Sequence, residues 1–219
     1  MREAGFDNIN LDLMFGLPDQ STDDWSETLD WAIGAGPEHI SAYGLILEDG
    51  TPLQLESSRG DIGLPDEETE AAMYRLAVDR LREAGFEQYE ISNFARQGFQ
   101  CRHNLVYWQH QEYLGLGAGA HSFLAGRRYY NESLPARYVC AMAERGAAVA
   151  GGEVLSVEMV RSERLMLGLR LRSDWTCRRS RTSWVFKTLR RLIGSLAFWT
   201  MGFFAYGKGG YRSQSVGFS

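Results

Sequence analysis

Residues 101–122 gather side chains that can ligate, stack and give way to a close neighbour. Three of the four histidines, the Tyr107-Trp108 pair and Gly115, Gly117 and Gly119 at alternate positions fall within these 22 residues. Imidazoles donate, accept or bind a metal. Small residues at every second position let another backbone or a flat ligand approach. His103-Asn104 with Tyr107-Trp108 four residues on joins a candidate axial ligand to aromatic surface, and heme iron is commonly held by histidine against apolar walls. Taken singly, each histidine reads more readily as a structural hydrogen-bonding group in a turn-rich strand pair; the company it keeps changes that reading. His39 and His110 lack such company and are assigned to structure. Glu90 and Asn93, flanking a strand end, could line a site, but the surface is the preferred reading. Residues 115–120 look superficially like a dinucleotide-binding loop, but they lack the strand–turn–helix context and an acidic residue about 20 positions on. A glycine-rich strand lying against a cofactor is the better reading.

The elements that must position these residues begin with an alternating strand over 5–15, in which Ile9, Leu11, Leu13 and Phe15 alternate with Asn10, Asp12 and Met14. In a parallel barrel the apolar set faces the helices. Asp12 then points inward near the strand's C-terminal end, where such folds hold ligands. A carboxylate there needs a donor, either from a ligand or from an internal arginine. Gly16-Leu17-Pro18 breaks the strand, Thr22 reads as an N-cap, and the pattern predicts a helix over 23–33 and a second strand over 39–47. Strand, helix, strand with short loops is a βαβ unit, hence a parallel sheet and an α/β fold. Residues 54–63 have few apolar anchors and read as an exposed connection. A long helix over 65–84, a strand over 86–93, a strand over 127–131 and helices over 134–145 and 158–169 follow.

The chain has 219 residues, 44% hydrophobic and 23% charged, with a formal net charge of −5. That is enough length for a core, and the charge balance leaves no nucleic-acid footprint. Cys101, Cys140 and Cys177 are too widely spaced for a disulfide framework or a zinc or cluster motif, which points to a reducing, cytoplasmic setting. The first residues contain no apolar signal region. Residues 173–219 hold eight basic residues and one acidic, leaving 15 of the 23 basic and 27 of the 28 acidic residues before them. Three of the six tryptophans also fall there, so a boundary is expected near residue 172. Residues 192–206 form an apolar run short of the roughly 20 needed to cross a bilayer, so no transmembrane segment is expected.

Several segments, in order, carry a family resemblance: Gly5-Phe6-Asp7-Asn8-Ile9, Asp12-Leu13-Met14-Phe15-Gly16-Leu17-Pro18, Ile40-Ser41-Ala42-Tyr43, Gly50-Thr51-Pro52, Tyr89-Glu90-Ile91-Ser92-Asn93-Phe94-Ala95, Cys101-Arg102-His103-Asn104, Tyr107-Trp108 and the run from Gly115 to Ser122. Over roughly residues 1–172 the chain resembles the oxygen-independent coproporphyrinogen oxidase-like proteins of the radical-SAM superfamily, and within them the HemW heme-chaperone branch. The resemblance implies a partial (β/α)6 barrel with a C-terminal extension, a [4Fe-4S] cluster and S-adenosylmethionine (SAM). It implies heme binding and delivery to a client protein, whereas the true oxidases decarboxylate two propionates of a porphyrin precursor. His103, Asn104, Tyr107 and Trp108 match the branch's His-Asn-x-x-Tyr-Trp signature, with His103 as candidate heme ligand. Asp12 matches a SAM-contacting aspartate, and Gly117, Ala120 and His121 match a segment near SAM.

Two departures accompany the resemblance. The family's Cys-x-x-x-Cys-x-x-Cys, which holds the cluster, does not occur in this sequence. The expected organisation is therefore the last βαβ part of the barrel over 1–63, beginning about two-thirds of the way round, a HemW-type region over 64–172, and an aberrant basic tail over 173–219. That tail is expected to be disordered, from a frameshifted reading frame or as a divergent natural extension. On this reading the chain is a fragment of such a protein; oxygen-independent coproporphyrinogen oxidation is the runner-up within the family, and a non-catalytic interaction module or a nonfunctional fragment is the alternative of another class.

Overall fold

The computed structural model of the protein describes residues 1–172. The tail over 173–219, with its apolar run, its expected disorder and Cys177, lies outside the described residues.

Alternation sets the first strand. In β1 (Asn10–Phe15), Asn10, Asp12 and Met14 are exposed while Leu11, Leu13 and Phe15 turn the other way. The Phe15 ring packs against Trp25 of helix α1 (Thr22–Gly34) and Tyr74 of helix α3 (Glu67–Glu83), with centroids 5.4 and 6.4 Å away, so the apolar set faces the helices. The cap of α1 is Ser21 rather than Thr22. Its hydroxyl accepts from the Asp24 amide while the Asp24 carboxylate accepts from the Ser21 amide. This closed capping box satisfies two helix-end donors at once, which Thr22 one residue later would not. Strand β2 (His39–Gly44) then pairs parallel with β1, placing Asn10 opposite His39 and Asp12 opposite Ser41. The Trp25 indole donates to the Met73 carbonyl at 2.9 Å, and Trp25, Leu29, Met73, Ala77 and Leu81 are fully buried between α1, α3 and the sheet.

Residues 54–63 are not merely an exposed connection, because helix α2 (Pro52–Arg59) occupies much of them. Thr51 accepts from the Gln54 amide and Pro52 sits in the first turn, so local capping starts a helix that buries nothing and leaves no apolar period to read. The strand expected over 86–93 is also broken, into β3 (Glu87–Gln88) and β4 (Asn93–Ala95). The Glu90 carboxylate accepts from the Ser92 amide at 3.0 Å and from the Asn93 side-chain amide, turning the chain back on itself. Both residues, expected on the surface, are buried, at 1% and 3% exposure. Strand β4 pairs antiparallel with β2 and with β3, so the sheet order is β1-β2-β4-β3 and the sheet draws strands from both sides of residue 63.

After helix α4 (Arg102–Trp108) comes an antiparallel sheet of β5 (His121–Leu124), β6 (Arg127–Asn131) and β7 (Val149–Val154). Helix α5 (Pro135–Arg145) connects β6 to β7, and α6 (Val157–Gly168) follows, packing on α4. The strand expected over the glycine-rich residues is instead a loop that enters β5 only at His121, with Gly117 at φ +104°, outside strand geometry.

Candidate functional site

Helix α4 presents the His-Asn-x-x-Tyr-Trp segment. Its N-cap, Cys101, makes no side-chain capping bond. The Cys101 amide instead donates to the Tyr89 hydroxyl at 3.4 Å. His103 and Tyr107, one turn apart, meet on one helix face. His103 Nε2 lies 3.1 Å from the Tyr107 hydroxyl, and the rings are edge-on at 5.0 Å. His103 is exposed; Tyr107 is half-buried against Tyr113, with ring centroids 4.6 Å apart. Trp108 turns inward, and the Arg170 guanidinium stacks 4.4 Å over its ring. Burial lowers the pKa of Arg170, and the neighbouring Glu90 carboxylate offsets that only in part. The two aromatics therefore play different parts: Tyr107 flanks the imidazole, and Trp108 fastens the end of the helix.

The other histidines divide by burial. His110 is buried, with Nε2 3.1 Å from Glu163 and its ring 4.6 Å from Phe123. His39 is buried between Asn10 Oδ1 at 2.6 Å and the Tyr89 hydroxyl at 2.8 Å. Burial holds His39 below the usual histidine value, against the attraction of nearby Asp12. The Tyr89 hydroxyl is pushed up to about 12 by burial, despite hydrogen bonds from Cys101 and Asn104 that pull it down. His121 is exposed on β5, its ring 5.5 Å from Tyr130.

Asp12 stands on the face of β1 away from the helices and accepts from the Asn10 side-chain amide at 2.8 Å. Gly117, Ala120 and His121 belong to the second sheet and its entry loop. The Gly117 carbonyl accepts from the Asn131 side chain at 3.0 Å, and the Ala120 carbonyl accepts from the Asn131 amide at 3.0 Å. A Cβ on Gly115 would lie 2.1 Å from the His121 carbonyl oxygen, so the small side chain there admits the chain's own backbone. Asp12 and the glycine loop thus sit on different sheets, with α4 linked to the first sheet through Tyr89. Asn10, Tyr89 and Arg170 were not singled out from the sequence. Asn10 could have been, since it shares the Asp12 face two residues away; Tyr89 and Arg170 needed the tertiary pairing.

Among the described residues no group of three or more His, Cys, Asp or Glu is placed to hold a metal. Cys101 at the start of α4 and Cys140 in α5 are free thiols on separate elements, and they do not fit a [4Fe-4S] cluster.

No protein-family model matches the chain. Among curated proteins, the heme chaperone HemW of Mycobacterium tuberculosis (strain ATCC 25618 / H37Rv) is 41% identical over 168 residues, covering 77% of this chain and 43% of that protein. HemW of Bacillus subtilis (strain 168) is 40% identical over 169 residues, covering 77% and 45%. The mitochondrial radical S-adenosyl methionine domain-containing protein 1 of Bos taurus is 46% identical over 113 residues, covering 52% and 26%. The chain spans less than half the length of these relatives. Among solved structures, the radical-SAM enzyme coproporphyrinogen III oxidase (HemN) from Escherichia coli matches with a TM-score of 0.58 and 20% identity, over 77% of this chain and 41% of that one. That likeness bears on fold, and with it the α/β class stands: an open, unclosed portion of a radical-SAM barrel followed by an α+β extension. The chain belongs to the HemW-like radical-SAM proteins.

Proposed function

We propose that this chain is the heme-handling part of a HemW-like heme chaperone, which binds heme at α4 and passes it to a client protein. The observation that carries the reading is His103: an exposed imidazole at the start of α4, in the family signature, with an aromatic neighbour on the same face. An imidazole of this kind ligates heme iron, and Tyr107 gives the porphyrin a flat contact. Exposure suits a carrier, since deep pockets bury most of a ligand's surface and release it slowly. Asn104, in the first turn of α4 beside the Cys101–Tyr89 hydrogen bond, orients the helix start; amides are poor ligands for iron. Trp108, clamped by Arg170, keeps the helix end fixed.

On the same reading, the Asp12 face of the first sheet and the segment with Gly117, Ala120 and His121 serve SAM in the whole protein. SAM when bound supplies a sulfonium and ribose hydroxyls, and Asp12 would accept a hydrogen bond from such a donor. The setting is cytoplasmic, and no helix among the described residues is long and apolar enough to cross a membrane.

Hemin titration followed by absorbance tests this. His103→Ala should weaken binding at least about tenfold, roughly 1.4 kcal/mol, and move the Soret band. His121→Ala, the competing exposed imidazole, should do neither. Equal binding by both variants and the parent would overturn the assignment.

A further inference from the structure

A continuous polar path crosses the first sheet from Asp12 to the start of α4, and hydrogen-bonding rules fix its direction. Ionised Asp12 accepts only, so the Asn10 Nδ2 donates to it and Asn10 Oδ1 is left facing His39 Nδ1 at 2.6 Å. That oxygen also accepts a long 3.4 Å bond from the Ser41 hydroxyl. His39 must therefore donate from Nδ1. Burial keeps the imidazole neutral at neutral pH, so its Nε2 accepts from the Tyr89 hydroxyl at 2.8 Å. The Tyr89 oxygen in turn accepts from the Cys101 amide, the N-cap of the signature helix. Every donor points towards the Asp12 carboxylate. His39 and Tyr89 are buried, at 5% and 6% exposure, so water does not replace the middle links. With Asp12 ionised and His39 neutral, this is the assignment of protons that satisfies all the bonds.

We propose that Asp12, Asn10, His39 and Tyr89 form a one-directional hydrogen-bond relay that couples whatever occupies the Asp12 face to the position of the signature helix. His39 and Tyr89 are its positioning residues. Bonds in series polarise one another, so a donor arriving on Asp12 competes for the carboxylate, loosens Asn10 and is felt at the far end. That far end is the longest link on the path, the 3.4 Å bond from the Cys101 amide, and it gives way first. The consequence for heme rests on the function proposed above: a cationic or hydroxyl-bearing ligand on the sheet would retune how His103 and Asn104 are presented.

The test needs no heme. In amide spectra of the full 219-residue chain, Asp12→Asn, which removes an exposed charge and keeps the side chain's shape, should shift the Cys101 resonance. It should also lower protection of that amide from exchange about twofold, as expected for one weakened bond in a polarised series. Tyr89→Phe alone should lower it about fivefold, the worth of one hydrogen bond. In the Tyr89→Phe background the Asp12→Asn effect at Cys101 should vanish, and His39→Leu, which has neither donor nor acceptor, offers a second break in the path should Tyr89→Phe fold poorly. An Asp12→Asn effect of equal size with and without the Tyr89 hydroxyl, or none at Cys101, overturns the relay. If His103→Ala leaves hemin affinity unchanged, the heme reading falls while the amide comparison still decides the relay.

Discussion

The Tyr107 hydroxyl lies 3.1 Å from His103 Nε2, the nitrogen through which an imidazole most readily meets iron. Iron and phenol compete for one lone pair. Tyr107→Phe should therefore bind hemin tighter, by about two- to tenfold for one neutral hydrogen bond removed. Weaker binding in the same titration would make Tyr107 a direct heme contact through its oxygen. His39 gives a pH signature. Because burial lowers its pKa from the ordinary 6.5, the unfolded chain takes up the proton first as pH falls. This contribution is complete above the unfolded value, declines below it, and levels off once native His39 itself protonates. Glu70, raised by burial from 4.5, acts in the opposite sense at lower pH, because the native state holds its proton more tightly. The urea midpoint should fall between about pH 7.5 and about pH 5.5, and fall less in His39→Gln. Parallel curves for the two proteins would remove His39 as the cause.

Helix α1 is held at its start by Ser21 and Asp24. Ser21→Ala should lower stability by about 1 kcal/mol, read as a shifted denaturant midpoint with unchanged slope. Gly115 works by sterics: with the His121 carbonyl oxygen 2.1 Å from where a Cβ would be, Gly115→Ala should cost about 1–3 kcal/mol or expel the loop from β5. Gly117 meets nothing within 4 Å and matters only through its φ of +104°. The sequence could not separate these two cases, since spacing shows that glycines recur but not whether a neighbour or a dihedral demands them. Legibility elsewhere followed the same physics. The β1–α1–β2 unit and the long α3 could be read because each buries one face and so carries a period. Helix α2 buries nothing and was missed. So was β7, whose Gly151-Gly152 centre offers no alternating side chains. The Glu90 turn was misplaced because a carboxylate that folds its own strand end looks, in sequence, like any surface acid. His103 was legible as a candidate by residue type and company; its link through Tyr89 to Asp12 was not, because Tyr89 follows Asp12 by 77 positions and the β1–β2 register and the β3–β4 turn bring them together.

At the scale of the molecule, identity to HemW runs through about 77% of this chain yet reaches only 43–45% of those relatives. The sequence contains Cys101, Cys140 and Cys177 and no closely spaced trio. Anaerobic reconstitution of this chain with iron and sulfide should therefore give no iron–sulfur absorbance that depends on those three residues. A stoichiometric four-iron cluster lost on replacing any one of them would overturn that expectation.

In the order β1-β2-β4-β3, β1 has a hydrogen-bonded neighbour on one side only among the described residues. Its other side is a row of backbone donors and acceptors along Asn10–Phe15, with Asp12 the one charge to guard it. Open edges of that kind recruit strands from other molecules unless charges, prolines or bulges blunt them. The 219-residue chain should self-associate as its concentration rises, and Met14→Lys, which adds a charge on the exposed Asp12 face of the edge strand, should suppress this. Light scattering at several concentrations would decide: a particle size independent of concentration would mean that the edge is already covered.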